Sequence, residues 1–164
     1  MADLHIDDFC HDAAKALMQL YQQFPLPQAV YVSDIAGVQE RDEMGLHSQR
    51  HLACFSTLLW LADEGLLRYR VQIDEEGIEQ AVLTHSAFVL LSHLKPTGES
   101  NHWITALRQA LQQKNSQHTS ALIHQLLAVA LTLPKSNPSA PSVAFKEPEE
   151  HAELPSIEEM FASL

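Results

Sequence analysis

The segment that most restricts the fold lies at residues 29–94, where short β-branched runs and helical stretches follow one another in a fixed order. It opens on AVYV, an apolar run suited to a small strand, after which Ser33 and Asp34 are placed to cap a one- or two-turn helix ending near Gly37. Residues 38–45 are charged and form a turn. Ser48 then caps a long helix over residues 48–64, and Gly65 supplies the left-handed stop just beyond it. At about 100° per residue, Leu52, Phe55, Leu58, Leu59 and Ala62 share one broad face of this helix, and Gln49, Arg50, Ser56, Thr57, Asp63 and Glu64 share the other. Residues 67–73 and 78–84 flank DEEG, a turn tetrapeptide with Gly77 last, which predicts a two-stranded hairpin. A helix over residues 84–94 closes the unit.

This order resembles the winged-helix branch of the helix-turn-helix proteins. GLLRYRVQID, a turn and then AVLTHSAFVLLSHL are similar to the wing and following helix of many bacterial winged-helix regulators, in which a threonine caps the last helix. The resemblance implies a winged-helix domain over residues 1–95, with the 48–64 helix in the recognition position. In a DNA-binding member, Ser48, Gln49 and Arg50 would meet the bases, and Arg68 and Arg70 would touch phosphates from the wing. The charges oppose this use. The chain carries 21 acidic residues against 10 Lys and Arg, a formal net charge of −11, and Glu40, Asp42, Glu43, Asp74, Glu75 and Glu76 stand in the turn and at the wing tip. Backbone neutralisation supplies most nonspecific affinity for nucleic acid, so DNA is the alternative reading. Winged helices without a basic face often bind proteins, and this chain is similar to that subset.

Ahead of this unit, Phe9, Ala13, Leu17, Leu20, Tyr21 and Phe24 recur at helical spacing until Pro25 and Pro27 stop the helix. Behind it, residues 101–114 and 118–133 read as two helices, the first amphipathic and the second apolar nearly all round and expected to be buried. Residues 96–133 are therefore a helical extension that either packs on the domain or forms a homodimer. Trp60 falls in the polar arc of the recognition-position helix, where a solvated surface seldom places its largest side chain; cover by the 101–133 helices is the preferred explanation, and a partner is the other. From residue 134 onward the composition turns to Pro, Ser and Glu, that of a disordered acidic tail. It ends in SIEEMFASL, where Ile157, Met160, Phe161 and Leu164 would share one face of a short helix able to dock on a partner protein. The expected fold class is thus mainly α with a small β-hairpin wing: a winged helix-turn-helix core, two C-terminal helices and a disordered tail.

Chemistry is sparsely marked. His47, His51 and Cys54 at i, i+4 and i+7 are the candidate metal ligands, but their arc also holds Leu58, and packing is the preferred role, so no cofactor is expected. There is no glycine-rich phosphate loop, no GxSxG elbow and no HExxH, so no enzyme is expected either. Two cysteines in different segments suggest no disulfide, and MADLHIDDFC has neither the basic nor the apolar region of a secretory signal; a cytoplasmic protein with no membrane association follows as the expectation. The function expected is a non-catalytic regulatory or adaptor protein acting through protein–protein contact, with a DNA-binding regulator as alternative and a small metal-dependent sensor or enzyme as a third class.

Overall fold

The computed structural model describes residues 4–93 and 102–132. In chain order the elements are α1 (Leu4–Gln23), β1 (Gln28–Tyr31), α2 (Val32–Ala36), α3 (Gln49–Asp63), β2 (Leu67–Arg68), β3 (Val71–Ile73), β4 (Gly77–Leu83), α4 (His85–Ser92), α5 (Trp103–Gln112) and α6 (Ser116–Ala130). The chain is mainly helical with one small antiparallel sheet. None of the described helices is long and apolar enough to cross a membrane.

The sheet is organised by β4. Its first half pairs with β1 on one side and β3 on the other, while its second half pairs with β2. Leu67 lies opposite Leu83 and Ile73 opposite Gly77, so β2 and β3 are one interrupted hairpin arm held in a single register against β4. The turn chemistry differs from expectation. Glu75, not a glycine, takes the left-handed backbone (φ 60°) at the tip, and Gly77 already belongs to β4. Gly77 is required by the strand beside it: a Cβ there would stand 2.4 Å from the Val30 carbonyl oxygen of β1. Gly77→Ala is accordingly expected to force β1 away from β4 and cost about 1–3 kcal/mol, read as a lower urea midpoint. An unchanged midpoint would mean that β1 yields without penalty.

Helix α1 is central. Cys10, Ala13, Ala14, Ala16, Leu17 and Leu20 are all fully buried, and the run of small side chains lets α3, α5, α6 and the sheet approach it from several sides. Asp7 accepts a hydrogen bond from the Ser120 hydroxyl of α6 at 2.6 Å. Trp103 at the start of α5, together with Leu107, Leu122, Ile123 and Leu126, joins the same hydrophobic core as Leu58, Leu61 and Leu83. Residues 103–130 are therefore part of one packed body with residues 4–92.

Local capping follows the sequence closely. The Ser48 hydroxyl accepts from the His51 N–H at 3.1 Å, and Gly65 (φ 75°) ends α3 with Leu66 N–H bonding back to the Leu61 carbonyl. Thr84 caps α4 by accepting from Ala87 N–H, and its own hydroxyl donates to the Gly65 carbonyl. Three expectations are corrected. Ser33 and Asp34 lie inside α2, whose N-cap is Tyr31 without a side-chain bond. Thr57 of α3 is buried, while Leu52 is exposed, so the inward face is rotated from the simple wheel. Helix α6 is two-sided: Leu122, Ile123 and Leu126 face inward, but Ala121, His124, Gln125 and Ala128 are exposed, and Leu131 just beyond its end is 72% exposed. The tail positions Ile157, Met160, Phe161 and Leu164 lie outside the described residues.

Candidate functional site

Two features meet on α3. The first is an open cleft of about 860 Å³ between the start of α1 and the outer face of α3. Ile6 and Phe9 form its apolar wall from α1, and Ala53, Ser56 and Trp60 form the other. The Phe9 and Trp60 rings meet edge to face, with centroids 5.1 Å apart and planes at 83°. Trp60 remains 38% exposed, so the C-terminal helices do not cover it as expected. It forms a ridge, because its far side borders a smaller hollow of about 410 Å³ shared with Leu66 and with His124, Leu127 and Leu131 at the α6 end.

The front of α3 is occupied from within. Arg50 donates to both carboxylate oxygens of Asp12, each at 2.6 Å, and Asp8 lies 3.6 Å from its Nε. Asp12 is buried on α1; burial by itself would raise its pKa, but hydrogen bonds from His11 and Arg50 and the guanidinium charge outweigh that and hold it below the ordinary carboxylate range. The pair ties α3 to α1, and it engages the guanidinium that the sequence reading sets at the front of a nucleic-acid face. Arg68 and Arg70 are exposed on the hairpin and Gln49 is exposed at the first turn, whereas Ser48 is engaged as the cap.

Cys54 sits on the inner side of this pair. Burial, reinforced by the negative charge of Asp12, pushes its thiol up to about 12, which keeps it protonated at neutral pH. A protonated thiol is not an activated nucleophile, and the donor atoms that gather within 4.8 Å of one another are those of His47, His51 and Glu76, without Cys54.

The second feature is what those histidines do meet. His47, in the loop before α3, and His51, in its first turn, stack in parallel with ring centroids 3.9 Å apart and planes within 8°. Glu76 at the hairpin tip reaches them, with Oε1 3.3 Å from His47 Nε2 and Oε2 3.8 Å from His51 Nε2. Its carboxylate also accepts from Arg41 at 2.5 Å; that bond, first of the causes, keeps Glu76 below the usual pKa. The Glu75 carbonyl lies 2.8 Å from His51 Nε2. Two backbone constraints aim the tip: the left-handed Glu75, and Val32 N–H donating to the Glu76 carbonyl at 2.8 Å. Spacing alone points to Cys54 because it lies on the same helix; Glu76 is 22 residues beyond Cys54 and arrives only once β4 is paired.

No protein-family model, curated protein or solved structure matches this chain. Its site geometry is thus the basis for a functional reading.

Proposed function

We propose that this chain is a non-catalytic regulatory or adaptor protein with a winged-helix core, which acts by docking a partner protein in the cleft between α1 and α3. The order α1, β1, α2, α3 and a β-hairpin supports the winged-helix reading. The observation that carries the docking reading is Trp60: a large aromatic side chain left more than one third exposed, braced by Phe9, on the outer face of α3. Half-open aromatic ridges of this kind suit the apolar stripe of a partner helix. The cleft floor carries Asp8 and Asp12 against one guanidinium, so a partner with basic residues flanking its apolar stripe is favoured. The outer strip of α6, with Ala128 and the adjoining Leu131, is the face on which residues 101–133 would meet a second copy.

The DNA alternative loses its central residue to Asp12, and Arg41 is likewise engaged by Glu76. Binding to random duplex at physiological salt is expected to be weaker than roughly 10⁻⁴ to 10⁻⁶ M. A pull-down from native lysate with and without nuclease separates the two classes. The expected result is a protein partner captured equally in both samples and lost by about 30-fold or more in Trp60→Ala, an anchor effect of about 2 kcal/mol or larger. Capture that disappears with nuclease, or with Arg68→Ala and Arg70→Ala together, would establish nucleic-acid binding instead.

A further inference from the structure

We propose that His47, His51 and Glu76 form a binding site for one divalent transition-metal ion of the zinc class, which ties the hairpin tip to the N-terminal end of α3. The three donor atoms lie within 4.8 Å of one another, two from around the N-terminal end of α3 and one from the hairpin tip. Ligands about 2.0–2.1 Å from a tetrahedral ion stand about 3.3–3.4 Å apart, and the His47 Nε2 to Glu76 Oε1 distance is already 3.3 Å. His51 Nε2 and the other carboxylate oxygen, at 3.8 Å, need to close by only a few tenths of an ångström.

The surroundings favour an ion over an ordinary ion pair. His47 and His51 have side chains only 9% and 5% exposed, so neither imidazole is merely solvated, and both ring edges lie beside the same carboxylate; the rings stack in parallel, so one must turn out of the stack for both lone pairs to converge on a single ion. The donor set of two imidazoles and one carboxylate matches zinc and its first-row neighbours. It is unsuited to calcium or magnesium, which take oxygen ligands, and, without a thiolate, to copper(I). Three protein ligands leave the fourth position to water; the Glu75 carbonyl accepts from His51 Nε2 at 2.8 Å, so the ion would displace that ring proton and its hydrogen bond. Arg41 shares Glu76 Oε1 but is more than half exposed, so it can swing into water when the ion arrives.

The site does not depend on the α1–α3 cleft, so its failure would leave the docking proposal standing. The test is a zinc titration of the full chain, purified without an affinity tag and stripped with chelator, followed by calorimetry and elemental analysis. One equivalent should bind with a Kd on the order of 10⁻⁶ M or tighter and raise the melting temperature. Glu76→Gln, which changes a half-exposed side chain at the hairpin tip and should melt like the parent in chelator, is expected to weaken binding about tenfold or more. His47→Ala should do the same, Arg41→Ala should retain full binding, and Cys54→Ala should retain one equivalent. Absence of stoichiometric zinc in the parent protein, or one equivalent held as tightly in Glu76→Gln as in the parent, would overturn the assignment.

Discussion

Arg50→Ala is expected to destabilise the protein by about 3–5 kcal/mol at neutral pH, because it leaves the buried Asp12 carboxylate without its bidentate partner. For a chain of this size that corresponds to a fall in melting temperature of roughly 10 °C or more. The reverse change, Asp12→Asn, should cost less: Arg50 is 26% exposed and keeps both water and Asp8 as partners. The pH dependence follows from the sign of the Asp12 shift. In the parent, the depressed value means the stabilising contribution is fully present above the unfolded carboxyl value of about 3.9 and is lost as pH falls through the folded value. In Arg50→Ala, burial dominates and raises the folded value, so the penalty is present at neutral pH and is relieved by protonation on acidification. The gap between variant and parent should therefore narrow from pH 7 toward pH 4.5 in parallel thermal melts. A gap under about 1 kcal/mol, or one that widens with acid, would mean that water already reaches Asp12 and the pair is an ordinary surface contact.

Trp103→Ala should cost about 3–5 kcal/mol as well, since the indole is only 1% exposed and no small residue can fill its volume. The shape of the transition is as informative as its position. Because α5 packs against α1 and α4 and shares their core, one cooperative transition should shift as a whole, by roughly 10 °C or more. Two separated transitions, with the main one unmoved, would instead show that residues 103–130 unfold as an independent unit. The same packing implies that cutting the chain before residue 101 strips the core of Trp103, Leu107, Leu122 and Ile123 and exposes the α1 face they cover.

Interactions spanning a few residues were readable in the sequence, and those spanning many were not. Ser48, Gly65 and Thr84 each announce a helix boundary through one short hydrogen bond or one backbone angle, and the structure places all three as read. Helical winding sets Thr57 on the outer face; the structure buries it, and its hydroxyl donates to the Ala53 carbonyl one turn back, which satisfies the donor within the helix. Gly77 was read as a turn residue, yet its reason is the Val30 carbonyl across the strand pair, which no local pattern shows. The site suffered most. Arg50 meets Asp12 from 38 positions away, and Glu76 reaches His47 only through the β1–β4 clamp, so both partnerships required the tertiary fold. Helix α6 differs from its pattern for a related reason: alanine and leucine on its outer strip look like core residues, yet Ala128 and Leu131 are exposed in the described structure.

The placement of α1 has a kinetic meaning. It precedes every other described element in the chain, but the surfaces that bury it include β4, about 60 residues later, and α6, whose Ser120 meets Asp7 across a separation of 113 residues. Contacts of such long range incur loop-closure entropy before they add stability, which slows folding relative to a bundle of neighbouring helices. During synthesis α1 therefore lacks its α6 cover, seen at Asp7 and Cys10, until nearly the last described helix has emerged. A chain arrested after β4 would hold its hairpin yet lack the α5 and α6 walls around α1, leaving apolar surface open that the finished fold covers.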